Sequence, residues 1–137
     1  MSPSFHLAFH VTDLAETRQF YSGVLGAAEG RSTETWVDFD LYGHQLSCHI
    51  GQPIQPTATG SVAGQPVPMP HFGVILDMIE WRQLVERLKQ QEVSFLLEPT
   101  LRFAGEPGEQ GTFFIADPSG NAIEIKGFTT DDGVFAQ

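Results

Sequence analysis

Two stretches of the sequence decide the fold: HLAFHVTDL at residues 6–14 and HFGVILD at residues 71–77. Each begins with a histidine, continues through apolar residues for the length of a strand and runs into an aspartate. A glutamate follows each aspartate three positions later, at Glu16 and Glu80. This spacing resembles a capping box, in which a side-chain oxygen accepts a hydrogen bond from a free backbone N–H of the first helical turn. The same strand and helix opening therefore occurs twice.

The two segments also end alike. Each closes with an Asp-x-x-Gly turn that leads into a strand, at Asp40–Gly43 and again at Asp117–Gly120. Three matching features in the same order indicate an internal repeat rather than a chance likeness. The repeated unit reads as one strand, one helix and three further strands.

A region between the repeats, residues 51–70, contains five of the nine prolines and no charged residue, so it predicts an irregular connection. On this basis the chain is an α+β protein with two βαβββ modules, residues 5–50 and 71–128. We expect the modules to form a shared, partly open, β-barrel-like sheet with the helices outside. The whole chain, residues 1–137, is then one domain.

Composition excludes several classes of partner. Apolar residues make up 41% of the chain, which is typical of a globular protein, and no apolar stretch is long enough to span a membrane. The net charge of −10 repels phosphate backbones and anionic lipids, so neither nucleic acid nor a membrane is expected as a partner. The start lacks the pattern of a signal peptide, and a lone cysteine, Cys48, fits a reducing compartment. We expect a cytoplasmic location.

Strand alternation places three metal-binding side chains on the sheet face away from the helices. These are His6, His71 and Glu124, each beside a small residue. Two imidazoles and one carboxylate form the triad typical of non-haem Fe(II) sites, although Mn, Co, Ni or Zn can also occupy such a set. A single histidine or glutamate in a strand more often has a structural role than a metal-binding one. His6 and His71, however, occupy equivalent positions of the repeat, which favours a shared site. The sequence therefore predicts one divalent metal site.

Other polar residues have different expected roles. Ser47 is the repeat equivalent of Glu124 and is a poor ligand, so we expect three protein ligands and open coordination positions. His10 lies about 13 Å along the strand from His6 and cannot share its metal ion. His44 and His49 remain as acid/base candidates, because histidine titrates near neutrality, with ordinary surface histidines as the alternative.

The pattern resembles the vicinal oxygen chelate superfamily, which includes glyoxalase I, fosfomycin and bleomycin resistance proteins and extradiol dioxygenases. The resemblance covers Phe5 to Phe128 and is carried by residues 6–14, FYSGVLG at 20–26 and DPSGNAIE at 117–124. It implies metal ligands from the opening and closing strands of paired modules. The ligand set of two histidines and a glutamate is similar to that of the extradiol dioxygenases.

The same resemblance assigns further residues. His44 matches an acid/base histidine of the extradiol enzymes and by this likeness ranks above His49. Two features depart from their pattern: Phe114 stands where they have a tyrosine, and no histidine follows His71. Most of those enzymes also have four modules rather than two. Separately from the resemblance, the second module is about twelve residues longer than the first, and we place the extra residues in the Pro- and Gly-rich stretch 98–111. Arg102 lies in this insertion, and its position alone makes it a candidate for holding an anionic substituent.

The expected function is that of a metal-dependent oxygenase of the extradiol type, acting with Fe(II) on a small vicinal-oxygen compound. The alternatives are a glyoxalase-like lyase or isomerase, a transferase of the fosfomycin-resistance kind, and a bleomycin-resistance-like protein that binds a drug without metal. The partners expected are a small-molecule substrate and a second copy of the chain in a homodimer.

Overall fold

The computed structural model describes all residues from 1 to 137. The first module consists of β1 His6–Val11, α1 Leu14–Arg18 continuing as a π-helical segment Gln19–Val24, β2 Ala28–Ser32, β3 Trp36–Leu41 and β4 His44–Ile50. The second consists of β7 Phe72–Asp77, α2 Met78–Gln90, β8 Leu97–Arg102, β9 Gln110–Ala116 and β10 Ala122–Phe128. Between them lie β5 Thr57–Val62 and β6 Gln65–Met69, and a short helix α3, Asp131–Val134, follows the second module.

Each module forms its own four-stranded sheet. The strand orders are β1-β4-β3-β2 and β7-β10-β9-β8, so the opening strand lies at an edge and pairs in parallel with the closing strand. The α+β class and the two βαβββ modules predicted from the sequence are confirmed. The sheets are not closed into a barrel.

Both helices begin as the aspartates predict. Asp13 Oδ1 accepts a hydrogen bond of 2.8 Å from the backbone N–H of Glu16, and Asp77 Oδ1 accepts one of 2.8 Å from Glu80. Each bond satisfies a donor that the first helical turn leaves free. The first helical segment ends before Gly26, whose φ of 79° needs a residue without Cβ.

The connection between the modules is not irregular, and this prediction is wrong. Its residues 57–69 form the antiparallel hairpin β5–β6, which turns at Ala63 and Gly64 with positive φ angles of 50° and 78°. Prolines 66 and 68 are tolerated because a two-stranded ribbon leaves one edge of each strand unpaired, so a missing N–H breaks no ladder there. Val67 is buried, so the hairpin contributes an apolar side chain to the core.

The chain divides into two compact units. The first comprises residues 1–55 together with the turn 117–121, and the second comprises residues 56–116 and 122–137. The turn is held in the first unit by Asp117, which accepts a 2.8 Å hydrogen bond from the Tyr21 hydroxyl. The assignment of the whole chain to one domain stays a prediction. None of the helices combines the length and the apolar character that crossing a bilayer requires.

Candidate metal centre

His71 and Glu124 meet in the second unit. His71 directly precedes edge strand β7, and Glu124 lies in its parallel neighbour β10. The His71 Nε2 atom is 3.2 Å from Glu124 Oε1. The glutamate is buried, whereas 23% of the histidine side chain is exposed. Two of the three predicted ligands are therefore brought together, and one of them is partly exposed to solvent.

His71 is fixed in one orientation. Its Nδ1 atom is 2.7 Å from the carbonyl oxygen of Pro68 in β6. Because a carbonyl only accepts, Nδ1 carries the hydrogen and the lone pair of the neutral ring is on Nε2. The Phe114 ring and the imidazole pack in a T-shaped arrangement, with centroids 4.9 Å apart. The lone pair of Nε2 consequently faces the carboxylate of Glu124.

Glu124 is held by its other oxygen. The Thr112 hydroxyl donates to Oε2 at 2.6 Å, and Arg102 Nη1 donates to the same atom at 3.0 Å. The Arg102 side chain is itself buried. The structure thus pairs Arg102 with the predicted metal ligand, and its suggested contact with a substrate stays untested.

His6, in the first unit, makes a hydrogen bond through Nδ1 as His71 does. It is exposed at the start of β1, and its Nδ1 atom is 2.8 Å from the side-chain oxygen of Gln45, its partner in β4. Nδ1 donates to this amide oxygen, which again leaves the lone pair on Nε2. Each of the three predicted ligands therefore has its second polar atom engaged, as is usual for residues that hold a metal.

The complete triad stays a prediction. Nowhere in residues 1–137 are three or more His, Cys, Asp or Glu side chains gathered in a group that could hold a metal ion. His71 and Glu124 meet within the second unit, and His6 belongs to the first.

The acid/base candidates lie on different faces of β4. Register pairs His6 with Gln45 and His10 with His49, so His49 shares the face of His6. His44 has the opposite parity, and its Nδ1 atom accepts a 3.0 Å hydrogen bond from the Phe5 backbone N–H. His49 stacks on Trp36, with ring centroids 6.0 Å apart.

Ser47 is engaged with a residue that sequence reasoning missed. Its hydroxyl donates at 2.6 Å to Asp38 Oδ1, on the neighbouring strand β3. Asp38 therefore places a carboxylate on the same face as His6. Continuing the alternation from β4 into β3 would have found it. Predicting that Arg102 and Thr112 contact Glu124 would have required the register of three strands, β8, β9 and β10, which the repeat alone does not supply.

Two buried groups in the first unit, the Cys48 thiol and the Tyr21 hydroxyl, stay protonated near neutral pH. Burial raises the pKa of the Cys48 thiol to about 12, and the carboxylates of Asp117 and Asp38 add to the shift. Burial and Asp117 likewise raise the pKa of Tyr21 well above its ordinary range. Neither group ionises near neutral pH, so neither is a nucleophile or base for this site.

Comparison with known proteins places these features in a family. The profile of the glyoxalase/bleomycin resistance protein/dioxygenase superfamily matches residues 4–125. The structure is similar to that of a glyoxalase/bleomycin resistance protein/dioxygenase from Alicyclobacillus acidocaldarius, with 31% identity, a TM-score of 0.79 and coverage of 98% of this chain and 97% of the other.

Two more distant structures share the fold. A genomically encoded fosfomycin resistance protein from Listeria monocytogenes has 20% identity and a TM-score of 0.69, with 98% of this chain and 99% of the other covered. A virulence protein from Salmonella typhimurium has 24% identity and a TM-score of 0.64, covering 93% and 98%. No protein of curated function matches the chain significantly.

Proposed function

The chain belongs to the glyoxalase/bleomycin resistance protein/dioxygenase superfamily, and from this premise we propose that it is a metal-dependent oxygenase of the extradiol dioxygenase type. Its substrate is a small vicinal-oxygen compound such as a catechol. His6, His71 and Glu124 are the proposed ligands of one divalent metal ion. Fe(II) is the preferred ion, and Mn, Ni, Co or Zn are alternatives.

One observation carries the metal assignment. When the His71 ring is neutral, its Nε2 and the Oε1 of Glu124 are both acceptors, yet they lie 3.2 Å apart. Two lone pairs at this distance repel unless a cation or a proton lies beside both. A divalent metal satisfies them together, and the Nδ1 and Oε2 atoms are already engaged elsewhere. The donor set therefore fits the metal that the family implies.

The remaining residues suit a site with open positions. Ser47 is bonded to Asp38 and is not free to act as a fourth ligand. When bound, the metal supplies a Lewis acid and, as Fe(II), the capacity to activate O₂. Three protein ligands leave positions for a substrate that binds through two oxygens. We propose that His49 or His44 accepts the substrate's hydroxyl proton, since an imidazole does so near neutral pH.

The proposal includes a homodimer in the cytoplasm. Each opening strand lies at a sheet edge, and Phe5 and Ile75 expose 65% and 50% of their surface. Unpaired edges and exposed apolar side chains favour cover by a second copy. A sedimentation measurement giving the mass of one chain would remove this part of the proposal.

Oxygen consumption tests the reaction. Protein loaded anaerobically with Fe(II) should take up O₂ with at least one member of a catechol panel and form a ring-opened product. Replacing the acid/base histidine by alanine should lower turnover by roughly 10²- to 10⁴-fold without changing metal content. The His49→Ala and His44→Ala variants, assayed side by side, identify which residue acts.

Parallel assays separate the other functions. Thioester formation from methylglyoxal and a thiol would indicate a glyoxalase-like enzyme, and modification of fosfomycin would indicate a resistance enzyme. Binding of bleomycin by metal-free protein would indicate a drug-binding protein. If no catechol supports O₂ uptake at full Fe(II) occupancy, the oxygenase assignment is wrong.

A further inference from the structure

Arg102 is the most costly polar side chain to bury near the candidate metal centre. Only 3% of the residue is exposed, and its Nη2 atom is buried without a hydrogen-bond partner. Its Nη1 donates to Glu124, and its Nε donates at 3.4 Å to Gln65 of the β5–β6 hairpin. An incompletely satisfied buried arginine costs stability. This cost argues that Arg102 has a purpose other than stabilising the fold.

The two oxygens of Glu124 have different surroundings. Oε2 accepts from both Thr112 and Arg102, and two donors fill the lone pairs of one carboxylate oxygen. Oε1 contacts only His71 Nε2. The two donors lie in β8 and β9, and the histidine directly precedes β7. The carboxylate therefore cannot rotate without breaking several of these contacts.

From this asymmetry we infer that Arg102, together with Thr112, is a positioning residue that makes Glu124 present one oxygen to the metal. The inference rests on the proposed metal site. Free carboxylates bind metal ions through one or both oxygens. With Oε2 occupied by two protein donors, only Oε1 is available. A coordination position that a second carboxylate oxygen would fill is thereby kept for water or substrate.

A purely structural role makes a different prediction. If Arg102 only fills space, its loss lowers stability and leaves the metal's surroundings unchanged. If it positions Glu124, its loss lets the carboxylate turn and use both oxygens. The number of water molecules on the metal then falls. Water count is therefore the property that separates the two roles.

Bound Mn²⁺ provides the measurement, because its effect on the relaxation of water protons scales with the number of exchanging waters it holds. The parent protein is compared with Arg102→Met and Thr112→Val, each loaded with Mn²⁺ alone. We expect both variants to lose about one of three waters, a fall of roughly a third in relaxivity per bound ion for a six-coordinate metal with three protein ligands. Arg82→Met, an exposed arginine of α2, is the matched control and should keep the parent value.

The outcomes are distinct. If both variants bind Mn²⁺ with the parent relaxivity, the inference is overturned while the metal site stands. If Arg102→Met fails to fold, Thr112→Val decides alone, because valine keeps the shape of threonine and removes one of the two donors to Oε2. If the parent itself binds no Mn²⁺, the proposed metal site fails, and the inference fails with it.

Discussion

The orientation of each residue in the candidate site is set by hydrogen bonds to the atom that is not proposed to bind the metal. His71 Nδ1 donates to the Pro68 carbonyl and His6 Nδ1 donates to the Gln45 side chain. Glu124 Oε2 accepts from the Thr112 hydroxyl. These contacts fix the tautomers and leave Nε2 and Oε1 free. Strand parity and the repeat were enough to predict three ligands from the sequence, and the triad stays a prediction. Their supporting partners were not predictable, because they come from other strands and from a hairpin that the sequence did not indicate.

Cys48 gives a prediction at this scale. Its thiol is buried and its pKa is raised from 9.0 to about 12, so the folded state keeps a proton that the unfolded state loses above pH 9. The stabilisation is complete below pH 9 and is lost as the pH rises towards 12. Between pH 8 and pH 10 the free energy of unfolding of the parent should fall by roughly 1 kcal/mol more than that of Cys48→Ala.

Urea denaturation of both proteins at the two pH values measures this difference. In the folded state Tyr21 stays protonated over this pH range in both proteins, because burial and Asp117 raise its pKa whether or not Cys48 is present, so its contribution cancels in the comparison. Equal pH dependence in the parent and the Cys48→Ala variant would show that the folded thiol titrates normally.

Elements differ in how well the sequence predicts them. The two opening strands and helices follow from apolar spacing and the Asp caps, which are local signals. The β5–β6 hairpin was missed because Pro66 and Pro68 are strand breakers in a central strand but not at an edge. This error bears on function, since β6 supplies the carbonyl that orients His71.

Gly73 tests the pairing of β7 with β10. This glycine is the small residue beside His71 on the same strand face, and the structure shows that a Cβ there would overlap the backbone oxygen of Glu124. Gly73→Ala must push the two strands apart and should lower the free energy of unfolding by about 2 kcal/mol or more. Chemical denaturation measures the loss.

A second glycine serves as the control for this change. In Gly23→Ala the new methyl group would meet only Gln19 Cγ, at 3.9 Å, so stability should change by less than about 1 kcal/mol. If Gly73→Ala is as stable as the parent, the close approach of β7 to Glu124 is not present in solution.

At the scale of the whole molecule, the repeat predicted the modules but not their assembly. Equivalent positions identify His6 and His71 as a pair, yet a repeat is compatible with ligands from one chain or from two copies in a dimer. Which arrangement forms depends on how the exposed apolar side chains and unpaired edges are covered, and sequence periodicity does not encode this.

Metal stoichiometry tests the central claim most directly. Protein dialysed against Mn²⁺ or anaerobic Fe(II) and then analysed by elemental mass spectrometry should hold one ion per site. His6→Ala, His71→Ala and Glu124→Ala should each lose it, because removing one of three ligands weakens binding far more than a surface change. His10→Ala, an exposed histidine of the same strand as His6, should bind as the parent does. Retention of metal by all three ligand variants at parental affinity would contradict the account.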